Sequence, residues 1–146
     1  ASGLMQVMPA TARWTAKKIG LPFTPEQIAD RNTNLKIGTA YLKLVLDDVD
    51  GSQAMAAAAY NAGPSRPRRW REGATLEPAI WAENIPFAET RDYVKKVMSN
   101  AMYYAARFGQ PSVLLKDRLG TVPPRKIPAI PAPDPDTALE LERTDD

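Results

Sequence analysis

The chain has 146 residues, 44% of them apolar, with 19 lysines and arginines against 17 acidic residues and a net charge of +2. That length holds one domain of ordinary size with one core, and the apolar fraction together with three tryptophans argues against wholesale disorder. Neither cysteine nor histidine is present, which excludes disulfides, thiolate nucleophiles, histidine-containing metal sites and any Ser-His-Asp triad.

Carboxylates, tyrosines and lysines are left as the chemical groups, and neither a cofactor nor a metal is expected. Residues 1–109 carry 14 basic and 10 acidic side chains, a net +4, whereas residues 110–146 carry 5 and 7, a net −2. A mildly basic body suits a polyanionic partner, but only as a weak signal. No stretch reaches the ~18 apolar residues of a membrane span.

In chain order, Pro9 suits the first turn of a helix through Ala12, Trp14, Ala16 and Ile19, and Gly20 can take the left-handed conformation that stops it. Thr24-Pro25-Glu26-Gln27 reads as a capping box that opens a short helix ending near Asp30. Asn32 or Asn34 can cap the next helix, where Leu35, Tyr41, Leu42, Val45, Leu46 and Val49 follow helical spacing before Asp50-Gly51 closes it. Ser52 then caps the alanine-rich run Ala54–Ala62, which Gly63-Pro64 terminates. Alanine costs little helix propensity and lets neighbouring elements approach closely. After an irregular stretch, Thr90–Phe108 forms the longest helix, with Tyr93, Val94, Val97, Met98, Ala101, Met102 and Ala105 repeating at three and four. Gly109 closes it.

No alternating strand pattern and no internal repeat is visible. Seven of the 14 prolines follow Gln110, and the end is acidic. Residues 121–136 cannot bury enough apolar surface to offset their ordering entropy, so an extended, largely disordered tail is expected. Tyr103, Tyr104, Phe108, Val113, Leu114 and Leu115 are the candidates for docking its first residues on the body.

Three segments stand out: Gly3-Leu4-Met5-Gln6-Val7-Met8-Pro9, then Ala59-Tyr60-Asn61-Ala62-Gly63-Pro64, then Ile85-Pro86-Phe87-Ala88-Glu89-Thr90-Arg91. In this order and spacing they resemble the soluble lytic transglycosylases, lysozyme-like enzymes that cut the glycan strands of bacterial peptidoglycan. The resemblance covers roughly residues 1–109. It implies an all-α, lysozyme-like helical domain, truncated at its N-terminus, followed by the Pro-rich acidic tail at 110–146. It also implies a monomeric, bacterial, periplasmic or cell-envelope protein whose partner is the peptidoglycan glycan strand.

The residues support such a site in their own terms. Gln6 offers a donor and an acceptor to acetamido or hydroxyl groups, and Met8 a flexible apolar surface for a sugar face. Leu4 and Met5 are expected in the core. Tyr60 presents an apolar ring with a polar tip beside the amide of Asn61 at a rigid helix stop, although a core aromatic and a plain helix-end residue remain open for this pair. Glu89 maps onto a family glutamate that binds substrate, and equally suits a helix N-terminus. Glu83 is a lesser candidate for which a solvated helix face also accounts. Tyr93 and Val94 are expected to pack the core.

Arg66-Pro67-Arg68-Arg69-Trp70-Arg71 joins basic residues to an aromatic, a pattern found in nucleic-acid binders. The cluster is short, and a solvated surface with Trp70 buried is the expectation, with no nucleic-acid partner. Pro67 departs from the family pattern, so the following helix is expected to start late.

The resemblance implies one catalytic glutamate, on a helix upstream of Ala1 and central to the domain. No catalytic residue is therefore expected in this chain. The family reaction is cleavage of the MurNAc-β-1,4-GlcNAc bond with formation of 1,6-anhydro-MurNAc, and residues 1–146 alone are expected to be inactive. The alternative is a helical module that binds peptidoglycan glycan without cutting it.

Overall fold

One alanine-rich helix organises this molecule. The computed structural model describes residues 1–71, 73–111 and 113–124. Its helices are α1 (Pro9–Lys18), a 3-10 helix (Pro25–Ala29), α2 (Arg31–Asp48), α3 (Gln53–Ala62), α4 (Ser65–Arg69), α5 (Pro78–Glu83), α6 (Ala88–Arg107) and α7 (Leu115–Leu119). Ser52 Oγ accepts from the Met55 N–H to start α3, and Gly63 at φ +86° ends it. The five alanines between positions 54 and 59 and the Met55 among them are all buried, so α3 lies close among α2, α4 and α6, with Met55 as its one bulky side chain in that run. Around it Val45, Val49, Trp81, Ile85, Val94 and Met98 join Met55 in the main core. A second cluster of Val7, Ala12, Ala16, Ile28 and Ile37 joins α1 and α2 to the 3-10 helix.

The expected starts and stops of α1, α3 and α6 hold within a residue or two, and no strand forms among the described residues beyond two isolated bridges, Ser2–Val7 and Leu76–Val122. Five local expectations are corrected. Asp30, rather than Asn32 or Asn34, caps α2 by accepting from the Thr33 N–H at 2.8 Å. The helix begins at Arg31, which places Asn34 inside it, buried and engaged elsewhere. α4 starts directly after Pro64, because Pro67 sits in its first turn, where a backbone donor has no intrahelical partner to lose. α5 occupies part of the stretch expected to be irregular.

The fourth correction concerns the segment after Gly109. Leu119 and Val122 dock it, 8% and 2% exposed, and the Leu76 and Val122 backbones exchange two 2.9 Å hydrogen bonds. The expected anchors Tyr103, Tyr104, Phe108, Val113, Leu114 and Leu115 all stay exposed, since they line up along a face of α6 and a turn that nothing among the described residues covers. The Pro-rich stretch from residue 125 onward lies outside the described residues. Trp70 is half-buried rather than buried, packed against the main core. Its carbonyl accepts from Trp81 Nε1 at 3.0 Å.

Candidate functional site

The first motif folds into a tight loop. Ser2 and Val7 exchange backbone hydrogen bonds of 3.1 and 3.0 Å, and Gln6 N–H donates to the Gly3 carbonyl at 3.1 Å. This closure needs left-handed backbone at Gly3 (φ +71°) and at Gln6 (φ 48°), the first freely available to glycine and the second uncommon outside it. A Cβ on Gly3 would also overlap the side chain of Asn34. Asn34 is the anchor of the loop. Its Oδ1 accepts from the Met5 N–H at 2.9 Å, and its Nδ2 donates to the carbonyls of Ser2 at 2.9 Å and Ile28 at 3.1 Å.

The loop thus held faces α3 and α6 across an open cleft of about 910 Å³, within the size range of ligand sites. Gln6, Met8, Tyr60, Asn61 and Glu89 all line it. Tyr60, on the last turns of α3, donates its hydroxyl to the Met5 carbonyl at 2.7 Å and sets its ring 5.4 Å from that of Tyr41. Burial, with smaller contributions from Tyr93 and Tyr41, pushes its phenol up to about 12, so Tyr60 is a hydrogen-bond donor and not a base at neutral pH. Asn61 Oδ1 accepts from the Thr90 hydroxyl at 2.8 Å. That bond ties the end of α3 to the start of α6 and leaves the Asn61 amide N–H groups for the cleft. Glu89 sits exposed in the first turn of α6, where the helix dipole favours its charge.

Other expectations shift. Gln6 spends one donor on its own loop, Nε2 to the Gly3 carbonyl at 2.8 Å, which leaves its Oε1 and second N–H. Leu4 is not in the core but 69% exposed on the cleft wall, because the reversal at Gly3 turns it outward. Met5 is half-buried between cleft and second core cluster, and Tyr93 likewise lines the cleft while Val94 is buried. Glu83 stands apart from the cleft, at the end of α5, paired with Lys95 at 2.5 Å.

Two polar residues of the cleft carry no signal in the motifs. Gln53 opens α3, and Arg118 reaches in from α7 with its Nε donating to Gln53 Oε1 at 3.3 Å. Nothing local in the sequence marks Arg118; only docking of the segment after Gly109 brings it here. Among the described residues Glu89 is the one carboxylate on the cleft lining, and no group of three or more potential metal ligands exists among them.

A helical body with an open cleft, walled by a glycine-turned loop on one side and a Tyr-Asn helix stop on the other, defines a lysozyme-like all-α domain. The transglycosylase SLT domain family matches residues 1–80, and the chain belongs to that family. The soluble lytic transglycosylase helical domain matches residues 84–113. The soluble lytic murein transglycosylase of Salmonella typhimurium is 42% identical over 121 residues, which is 80% of this chain and 19% of that protein. The crystal structure of an inactive glutamate-to-glutamine variant of lytic transglycosylase Slt from Pseudomonas aeruginosa superposes with a TM-score of 0.71 at 42% identity, covering 76% of this chain and 19% of that one. The 70 kDa soluble lytic transglycosylase of Escherichia coli gives a TM-score of 0.66 at 39% identity, covering 80% and 19%. The chain therefore spans about a fifth of the length of these relatives.

Proposed function

We propose that residues 1–146 form the substrate-binding part of a peptidoglycan lytic transglycosylase of the bacterial periplasm. The observation that carries the proposal is the convergence of Gln6, Met8, Tyr60, Asn61 and Glu89, up to 83 positions apart, on one 910 Å³ cleft. Amides, a phenol and a thioether suit amino-sugar rings, which present apolar faces rimmed by acetamido and hydroxyl groups. Glu83 drops out of this set, since its partner is Lys95.

The chemistry follows from the bond to be broken. A protonated carboxylic acid donates its proton to the glycosidic oxygen, and the MurNAc C1–O bond breaks to release the 4-hydroxyl of GlcNAc. The muramoyl 6-hydroxyl then attacks C1 and gives its proton to the same carboxylate, closing the 1,6-anhydro ring and restoring the acid. One carboxyl suffices and no water is consumed. Such an acid needs an apolar enclosure to stay protonated. Glu89, exposed at a helix start, lacks that enclosure and suits substrate binding instead.

We assign the acid to a helix of the same polypeptide preceding Ala1. The floor of the cleft supports this. Leu42, Leu46, Ala56, Ala57, Val97 and Met98 line it with apolar side chains, a surface against which the apolar face of a further helix can pack. The glutamate-to-glutamine variant of the Pseudomonas aeruginosa relative, described as inactive, agrees with a single indispensable carboxyl.

The exposed setting of Glu89 also favours a second reading, a domain that holds glycan strands without cutting them. Digestion of purified peptidoglycan, scored for anhydro-muropeptides by mass spectrometry, separates the two. The natural full-length polypeptide is expected to release them and residues 1–146 alone to release none. Robust product from residues 1–146 alone overturns the assignment of the acid. Retention of glycan without product by the full-length polypeptide selects the binding module.

A further inference from the structure

The charges of α1 are one-sided. The helix carries Arg13, Lys17 and Lys18 and no acid. Ala12, Thr15 and Ala16 bury its inner face, and the three cations share the exposed face with Trp14. Lys18 Nζ lies 5.6 Å from the centroid of the Trp14 ring, and Trp14 and Ile19 stay 48% and 39% exposed. None of the three cations has a carboxylate within 4.0 Å among the described residues. Asp30, at the end of the 3-10 helix packed on α1, caps α2 instead. Lys17 and Lys18 gain from the helix C-terminus, but Arg13 stands a turn earlier and repels Lys17 four positions on.

The opposite pattern falls late in the sequence. Residues 134–146 hold six acidic side chains against one arginine, and Leu139 and Leu141 alternate there with Glu140 and Glu142. An acidic segment interleaved with leucines complements a basic helix face that also exposes Trp14 and Ile19. Reach is no obstacle. Asp134 lies ten positions after Pro124, the last described residue, and that length of Pro-rich chain spans up to about 30 Å, the diameter of a small domain. A tethered segment is also present at a millimolar effective concentration, which favours it over an anionic partner in free solution.

We propose that residues 134–146 dock on the exposed face of α1, their carboxylates against Arg13, Lys17 and Lys18 and their leucines against Trp14 and Ile19. This contact does not depend on the glycan reading of the cleft.

Zero-length carbodiimide cross-linking of the full-length polypeptide, mapped by mass spectrometry, tests it. The reagent joins a lysine amine to a carboxylate as an amide only where the two touch. Lys17 and Lys18 are expected to link to residues 134–146 about tenfold more than Lys36 and Lys96 do, which are equally exposed and without an ion pair among the described residues. About 1 M salt is expected to erase that preference. Arg13→Glu reverses an exposed charge without touching either lysine, and is expected to cut the Lys17 and Lys18 yields several-fold while those of Lys36 and Lys96 hold. Equal yields at all four lysines overturn the proposal, as does a preference that Arg13→Glu leaves intact. In a mixture of isotopically heavy and light protein, links that join heavy to light copies overturn it in favour of a second copy. Absence of links to α1, with co-sedimentation on phosphatidylglycerol vesicles that Arg13→Glu abolishes, overturns it in favour of a lipid surface.

Discussion

The Tyr60 hydroxyl and the Met5 carbonyl, 55 positions apart, are joined by a 2.7 Å hydrogen bond. That bond is the direct strut between the two walls of the cleft, and it fixes the phenol's orientation as well as the height of the loop. Met5 is thereby held from both sides, since its N–H also donates to Asn34.

Replacing Tyr60 with Phe keeps the ring against Tyr41 and removes only the strut. The half-buried Met5 carbonyl loses its partner, a cost of about 1 kcal/mol. The expected outcome is a modest fall in the urea midpoint together with a several-fold rise in Kd for glycan strands, because the Gln6–Met8 wall is no longer held at its distance. A lower midpoint with unchanged Kd shows the strut to be structural only.

Asn34 carries a heavier role. It is 1% exposed, and all three of its hydrogen bonds end on backbone, two of them in the cleft loop. Asn34→Ala strands the Met5 N–H and removes one donor each from the Ile28 and Ser2 carbonyls, the latter keeping the Val7 N–H, which costs on the order of 2–3 kcal/mol. Hydrogen exchange is the sharper measurement: the Met5 and Val7 amides are expected to lose protection before those of α3. Loop amides that remain as protected as in the wild type rule out Asn34 as the anchor.

Gly38 sets two effects against each other. It lies buried in the middle of α2, where alanine gains about 1 kcal/mol in helix propensity. A Cβ there would overlap Cβ and Cγ of Met5, and overpacking costs about 1–3 kcal/mol. The overlap wins, because Met5 is pinned by Asn34 and Tyr60 and cannot recede. Gly38→Ala is expected to lower Tm and to weaken glycan binding through displacement of the loop; a raised Tm refutes the argument.

These cases show what was legible from residue order. Helix stops at Gly20, Gly51, Gly63 and Gly109 are local chemistry, so they could be read, and the convergence of the three motifs followed from resemblance. Asn34 was misplaced because a buried asparagine and a helix cap look alike until the partners are known. Leu4 was assigned to the core on hydropathy, which is blind to the backbone reversal at Gly3. Arg118 and Val122 belong to the site and the core only through docking of residues 115–124, a tertiary event with no periodic signature. Trp70 and Phe87 were far apart on paper, yet their rings meet edge-on at 5.4 Å.

The tyrosine cluster finally makes stability depend on alkaline pH. Burial raises the phenols of Tyr41 and Tyr93, and that of Tyr60 to about 12 from an ordinary value of 10.0. Each binds its proton more tightly folded than unfolded, so the unfolded chain ionises first as pH rises. Below pH 10 the phenols are neutral in both states and this contribution is intact. Between 10 and about 12 the unfolded state holds fewer protons, and stability falls as pH increases. The expected outcome is a Tm that does not respond to these groups up to about pH 9 and then declines, with part of the decline removed in Tyr60→Phe. A spectrophotometric titration at the phenolate band, taken as the difference between wild type and Tyr60→Phe, follows the Tyr60 phenol. If that phenol ionises near its ordinary value of 10.0, the cleft wall is solvated and the Tyr60–Met5 strut does not persist in solution.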